Sequence, residues 1–225
     1  MNELYLVKIQ PQTSITLPEA EYLLEKNAIT HPIQQLNWEQ FHYSPKVAFR
    51  IAHTGDRIWL KYYVCEKYIR AMETRINGRV HKDSCVEFFI SFDKENYYNF
   101  EFNCIGIAHV AYGSGRSKRK FVNTQLIEKI EIQSSLGNKP FDTRSGDFTW
   151  EMMIRIPIEC FAFSDVKNLS NLSGSANFYK CGDATTEPHY LSWNSIETDN
   201  PDFHRPDFFG KVFFPDLSPS NLVRS

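Results

Sequence analysis

Between Phe148 and Ile156 every second residue is apolar: Phe148, Trp150, Met152, Ile154 and Ile156, with Pro157 ending the run. Alternation of this length fits an extended chain with one buried face and does not fit the 3.6-residue repeat of a helix. The same period appears in Val47, Phe49 and Ile51, then across the Gly55-Asp56 turn in Ile58, Leu60, Tyr62 and Val64. That pair predicts a hairpin.

A second hairpin is predicted over 85–92 and 97–104, joined by the polar loop Asp93 to Asn96. Val86, Phe88 and Ile90 can meet Tyr98, Phe100 and Phe102 in a core. Glu87, Asn99, Glu101 and Asn103 then gather on the opposite face. Further strands are expected at 4–9, 108–112, 126–133, 176–180 and 210–214. A short helix is expected over 17–27, opened by Pro18, Glu19 and Glu21, and one helical turn at 157–161.

The total is about nine or ten strands with short helical insertions and no alternation of strand and helix. The expected fold is therefore all-β, an antiparallel sandwich of jelly-roll or immunoglobulin-like type. Aromatic residues form 15% of the chain, with 18 Phe, 11 Tyr and 4 Trp, and two facing sheets accommodate such large flat side chains. One domain is expected over 1–225, with its core at about 35–215 and a polar tail at 216–225.

A net charge of −2 provides no broad positive field, so neither nucleic acid nor an anionic membrane is an expected partner. Arg116, Lys118, Arg119 and Lys120 follow a Gly-Ser-Gly run and read either as a solvated hairpin tip or as an anion site. The N-terminus lacks the residue order of a signal peptide. The expected location is cytoplasmic, or periplasmic or secreted if a leader is missing. The five cysteines show no CxxC spacing, and buried reduced thiols are expected.

Sugars offer apolar C–H faces ringed by hydroxyls, so a site for them needs aromatic platforms beside planar polar groups. Trp193, between Ser192 and Asn194, is either such a platform or a core residue. The run Lys82-Asp83-Ser84-Cys85-Val86-Glu87-Phe88-Phe89 resembles the Asp-x-x-x-Glu strand of carbohydrate-binding module family 9. Ser192-Trp193-Asn194, Asn200 to Pro206 and Phe208-Phe209-Gly210 are similar to the C-terminal signature of the same family. The resemblance spans about 35–215.

It implies a β-sandwich that grips a terminal mono- or oligosaccharide between two tryptophan rings, as a non-catalytic module accessory to glycan breakdown. Any glycoside hydrolase partner would be a separate chain. Trp193 matches one ring position and Glu87 the acidic position. His81 stands where the second ring is expected, with Trp59 or Tyr63 as substitutes from a neighbouring strand. The expected ligand-binding set is Trp193, Glu87, Arg205, His81, Asn103, Asn99, Glu101 and Trp59. Arg205, held in a stiff turn by Pro201 and Pro206, either pairs with Glu87 or anchors its own loop.

No cofactor is expected, although structural calcium is a family feature, with Asp142, Asp147 and Asp183 as scattered loop acids. An enzyme reading would rest on Glu87, Glu101 and Glu151, but no nucleophile motif accompanies them. A haem reading would rest on His53, His81, His109 or Met153. The last alternative is an orphaned sandwich with a structural or protein-binding role.

Overall fold

In the computed structural model, residues 1–11 and 15–216 are described. The polar tail expected from 216 onward therefore lies outside the described residues, apart from Asp216. The strands are β1 (Glu3–Tyr5), β2 (Val7–Lys8), β3 (His31–Ile33), β4 (Gln35–Leu36), β5 (Lys46–His53), β6 (Arg57–Ala71), β7 (Cys85–Ser91), β8 (Tyr97–Asn103), β9 (Ala108–Gly113), β10 (Lys120–Phe121), β11 (Glu131–Ser134), β12 (Phe141–Pro157), β13 (Ser173–Cys181), β14 (Tyr190–Ser192) and β15 (Gly210–Phe213). Two α-helices, α1 (Leu17–Asn27) and α2 (Thr124–Ile127), complete the regular structure with three short 3-10 turns. No described helix is long and apolar enough to cross a membrane.

One sheet runs β1-β15-β13-β7-β8-β9-β10, extended by β14 and β4, and the other runs β11-β12-β6-β5-β2, with β3 on β5. The expected sandwich is present, but it is not wholly antiparallel. β1 lies parallel to β15 and β2 parallel to β5, because the N-terminal chain crosses from the first sheet to the second at buried Leu6.

The alternating apolar residues face one another between the sheets. Phe49, Leu60, Tyr62, Trp150 and Ile154 of the second sheet meet Phe88, Phe100 and Phe178 of the first. Phe49 and Phe178 stack with centroids 3.8 Å apart, a direct ring contact across the interior. The run at 126–133 departs from expectation. Its first part is α2, where Asn123 accepts a hydrogen bond from Gln125 N, and Ile127 and Ile130 enter the core at helical spacing. Only 131–134 is strand.

The second sheet's outer face is covered by α1, which begins with a capping box between Thr16 and Glu19. Ala20 and Leu24 of α1 pack on Ala52, Trp59 and Met153. Beside them the Lys61 ammonium lies 2.5 to 2.7 Å from carboxylate oxygens of Glu21, Glu25 and Glu151. A lysine thus fills the centre of this acidic cluster.

An ion pair joins the sheets through the interior. Lys180 of β13 reaches Glu66 of β6 at 2.8 Å, both side chains being fully buried. The ammonium also donates to Cys181 O at 2.9 Å and to His189 Nε2 at 2.8 Å, while Trp150 Nε1 donates to Glu66 Oε1 at 2.8 Å. Burial and the adjacent ammonium hold the His189 imidazole well below its usual range, so its Nε2 is free to accept. Lys180→Met should strand the Glu66 carboxylate and cost about 3–5 kcal/mol in urea unfolding. Adding Glu66→Leu should recover part of that loss; an additive double variant would show that the pair is not coupled.

Candidate functional site

The polar residues of β7 and β8 all point away from the inter-sheet core, as the two-residue repeat requires. Glu87 lies opposite Glu101 in the β7–β8 register, Cys85 opposite Asn103, and Phe89 opposite Asn99. This outer face is not open to solvent, for both strands are buried along their whole length. Phe89, Tyr97 and Tyr179 form a second apolar cluster with Trp38, Ile196, Phe203 and Phe209. Phe203 stacks on Tyr179 at 4.1 Å.

Where that cover ends, a cavity of about 380 Å³ remains. Its floor is built from Glu87, Asn99, Glu101 and Cys181, and its rim from His81, His109, Arg116, Phe121, Asp183, Tyr190, Asp202 and His204. Phe121 on β10 is 57% exposed, and Tyr190 on β14 is half-buried. These strands lie on opposite sides of β7–β9 in the sheet order, so the two rings flank the cavity.

The floor is a hydrogen-bonded relay. Arg119 donates through Nε and Nη2 to Asn99 Oδ1 at 2.9 and 2.6 Å, and Asn99 Nδ2 donates to Glu101 Oε1 at 2.7 Å. The remaining Arg119 donors go to the carbonyls of Tyr97, Ala111, Gly113 and Gly115, and the guanidinium lies 4.2 Å from the Tyr97 ring centre. Saturated in this way, Arg119 orients Asn99 and leaves Glu101 Oε2 facing the cavity, 3.9 Å from His81 Nδ1. Burial, reinforced by the Glu101 charge, lifts the Glu87 carboxyl well above the usual carboxylate range. Its protonated form is thereby favoured, and that form can donate a hydrogen bond into the cavity.

Of the expected ligand-binding set, Glu87, His81, Asn99 and Glu101 meet at this cavity. The other four do not. Trp193 is 6% exposed and sits inside the sandwich, edge-on to Phe178 and Phe49 at 5.6 and 6.2 Å. A side chain at Gly210 would begin 2.6 Å from its indole, so the Trp193 and Gly210 positions of the C-terminal signature are packing partners. Trp59 lies under α1 on the second sheet, and Tyr63 of the same strand donates to Glu25 there.

Asn103 is fully committed to structure. It donates to Glu73 O and Asp83 Oδ2 and accepts from Ile107 N. Asp83, the first residue of the Asp-x-x-x-Glu run, also receives Met72 N, Glu73 N and Arg70 Nη1, fixing the turn that carries His81. Arg205 pairs with Asp207 through two hydrogen bonds of 3.2 and 2.7 Å and does not meet Glu87. The stiff turn instead delivers its neighbours Asp202 and His204 to the cavity.

Of the loop acids, Asp142 and Asp147 lie exposed on the β12 arm while Asp183 reaches the rim. The proposed haem ligands are dispersed: His81 and His109 face the cavity, Met153 lies under α1, and buried His53 bonds Pro215 O. Phe121, Tyr190, Asp202 and His204 lie outside the expected set, and Arg119, expected in a solvated tip or an anion site, instead braces Asn99. The only signal for Arg119 was its place in the basic run, where the Gly113 and Gly115 carbonyls fold back around it.

Trp193→Ala should empty a core position and cost about 3–5 kcal/mol in chemical denaturation. A fully stable variant that loses only ligand binding would contradict this placement. His204 offers a second test. Burial lowers its imidazole to about 4, with Nδ1 2.8 Å from Tyr97 OH. An unfolded chain protonates this histidine near pH 6.5, so its contribution is complete above that pH and declines as pH falls toward 4. Wild type should therefore lose up to roughly 3 kcal/mol more than His204→Gln between pH 7 and 4. Parallel pH profiles of unfolding free energy would refute it.

Comparison with known proteins agrees with this architecture. The family model of carbohydrate-binding family 9 matches residues 18–214. A "putative carbohydrate-binding protein" from Bacteroides uniformis ATCC 8492 is 38% identical, with 94% of this chain and 98% of that chain covered and a TM-score of 0.91. A carbohydrate binding module family 9 from Caldicellulosiruptor kristjanssonii, solved with glucose, is 10% identical over 96% of this chain and 97% of its own, with a TM-score of 0.59. Its cellotriose complex is 9% identical over 96% and 95%, also at 0.59. At these identities the likeness is one of fold. Curated protein sequences give no match. The family match across most of the chain and the 38% identical relative establish that the chain belongs to carbohydrate-binding family 9.

Proposed function

We propose that this protein holds a mono- or oligosaccharide in the cavity over β7–β9, as a non-catalytic module. The observation that carries the reading is the convergence of Glu87, Glu101, Asn99 and His81 on one pocket flanked by Phe121 and Tyr190. Either ring can lie against the C–H face of a pyranose, while carboxylates accept from its hydroxyls and the neutral Glu87 carboxyl donates to one. A cavity of about 380 Å³ suits one or two sugar rings.

Family membership supports the same reading, as do the glucose and cellotriose held by the Caldicellulosiruptor modules. We place the protein as an accessory to glycan breakdown that presents sugar to a glycoside hydrolase on a separate chain. Its own carboxyl pair is poorly suited to hydrolysis. Glu87 and Glu101 face each other on adjacent strands, and the second is already tied to Asn99.

Calorimetric titration against glucose, cello-oligosaccharides and a broader glycan array tests the proposal. Phe121→Ala should weaken the best ligand several-fold, about 1 kcal/mol. Glu101→Gln should weaken it at least tenfold, given the roughly 1.5–3 kcal/mol of a hydrogen bond to a charged group. Affinity unchanged by both substitutions would move the site elsewhere.

A further inference from the structure

Beside Glu87 the cavity floor contains two thiols that sugar binding does not use. Cys85 and Cys181 stand directly opposite each other in the β7–β13 register, and Glu87 follows two residues after Cys85 on the same face. Cys181 Sγ lies 3.1 Å and Cys85 Sγ 3.9 Å from Glu87 Oε1, and the three ligand atoms all lie within 4.8 Å of one another. All three side chains are buried, at 0%, 1% and 3% exposure for Cys85, Cys181 and Glu87.

A buried carboxyl is ordinarily met by amide, hydroxyl or cationic donors, yet here Oε1 has only two weak S–H donors. Among the described residues no hydrogen bond reaches Oε2, although Glu87 lines the cavity. From this geometry we infer that Cys85, Cys181 and Glu87 form a binding site for a thiophilic divalent cation such as zinc or cadmium. The fourth coordination position opens into the cavity.

The spacing fits. A tetrahedral ion with bonds of about 2.3 Å to sulfur and about 2.1 Å to oxygen separates its ligands by about 3.6–3.8 Å, between the two distances observed. Two thiolates with one carboxylate favour zinc or cadmium over calcium or magnesium, which take oxygen ligands. In binding, each thiol and the carboxyl releases its proton to solvent, three sulfur or oxygen bonds to the metal form, and the metal sheds water in exchange. Each ligand binds the metal in its deprotonated form, so uptake strengthens as pH rises. The remaining cysteines are placed apart: Cys104 and Cys160 contact the carbonyls of Arg70 and Leu126, and Cys65 is exposed.

The test removes the exposed competitor first. The Cys65→Ser protein is titrated with cadmium while the thiolate-to-metal absorbance is followed, and with cobalt for its tetrahedral visible spectrum. One equivalent with both signatures is expected. Adding Cys181→Ala should lower affinity by at least about 100-fold. If circular dichroism shows that this variant does not fold, Glu87→Gln replaces it, with an expected loss of at least about tenfold. No thiolate band at one equivalent in Cys65→Ser protein would overturn the inference. So would a band that survives in folded Cys85→Ala/Cys181→Ala protein, or cadmium affinity unaffected by Glu87→Gln. None of these readouts depends on sugar binding.

Discussion

Burial of the β7–β8 hairpin on both faces is the constraint on which the rest of the structure depends. Its inner face is apolar and meets the opposing sheet through Phe88 and Phe100. Its outer face carries two glutamates and two asparagines that could not remain buried without partners. The loop after β14, pinned by Phe203 on Tyr179, withdraws that face from bulk water but stops short of closing it. A pocket results whose polar groups are desolvated and fixed in direction before any ligand arrives. Such preorganisation lowers the ordering cost of binding.

Several features that look like binding chemistry serve this preorganisation instead. Asp83 collects four donors and fixes the turn bearing His81, with Asn103 as one of those donors. Arg119 spends its guanidinium on Asn99 and four carbonyls, so its role is to aim an amide that in turn aims Glu101. Trp193 and Gly210 lock the C-terminal strand against the interior. The same sandwich tolerates a buried ion pair at Lys180 and Glu66 because His189, Trp150 and a carbonyl satisfy what the pair leaves over.

The long strands are legible because the face of each that meets the opposing sheet is apolar at every second residue, as in 85–92, 97–104 and 148–156. Helix α1 was legible from Pro18 and the acidic first turn. Strands β3, β4 and β14 are two or three residues long and carry no period to read. The first half of β12 is exposed on both faces and interrupted by register shifts, so its residues do not alternate.

The site was half legible for a related reason. Glu87, Asn99 and Glu101 share a face by strand periodicity alone, whereas Phe121, Tyr190, Asp202 and His204 reach the cavity only through sheet order and loop folding. Of the two readings open for Trp193 the structure takes the core one, since a tryptophan between two polar residues reads the same whether its indole points inward or outward. Arg205 takes the loop-anchoring alternative, because local pairing with Asp207, two residues away, outcompetes a distant carboxyl.

The most direct test of the central claim is a nuclear magnetic resonance titration of the side-chain signals with glucose or the strongest sugar found. The account predicts that the rings of His81, His109, Phe121 and Tyr190 shift together while the indole Nε1–H signals of Trp59 and Trp193 stay in place. Shifts that begin at Trp193 and leave the His81 and Phe121 signals unmoved would contradict it.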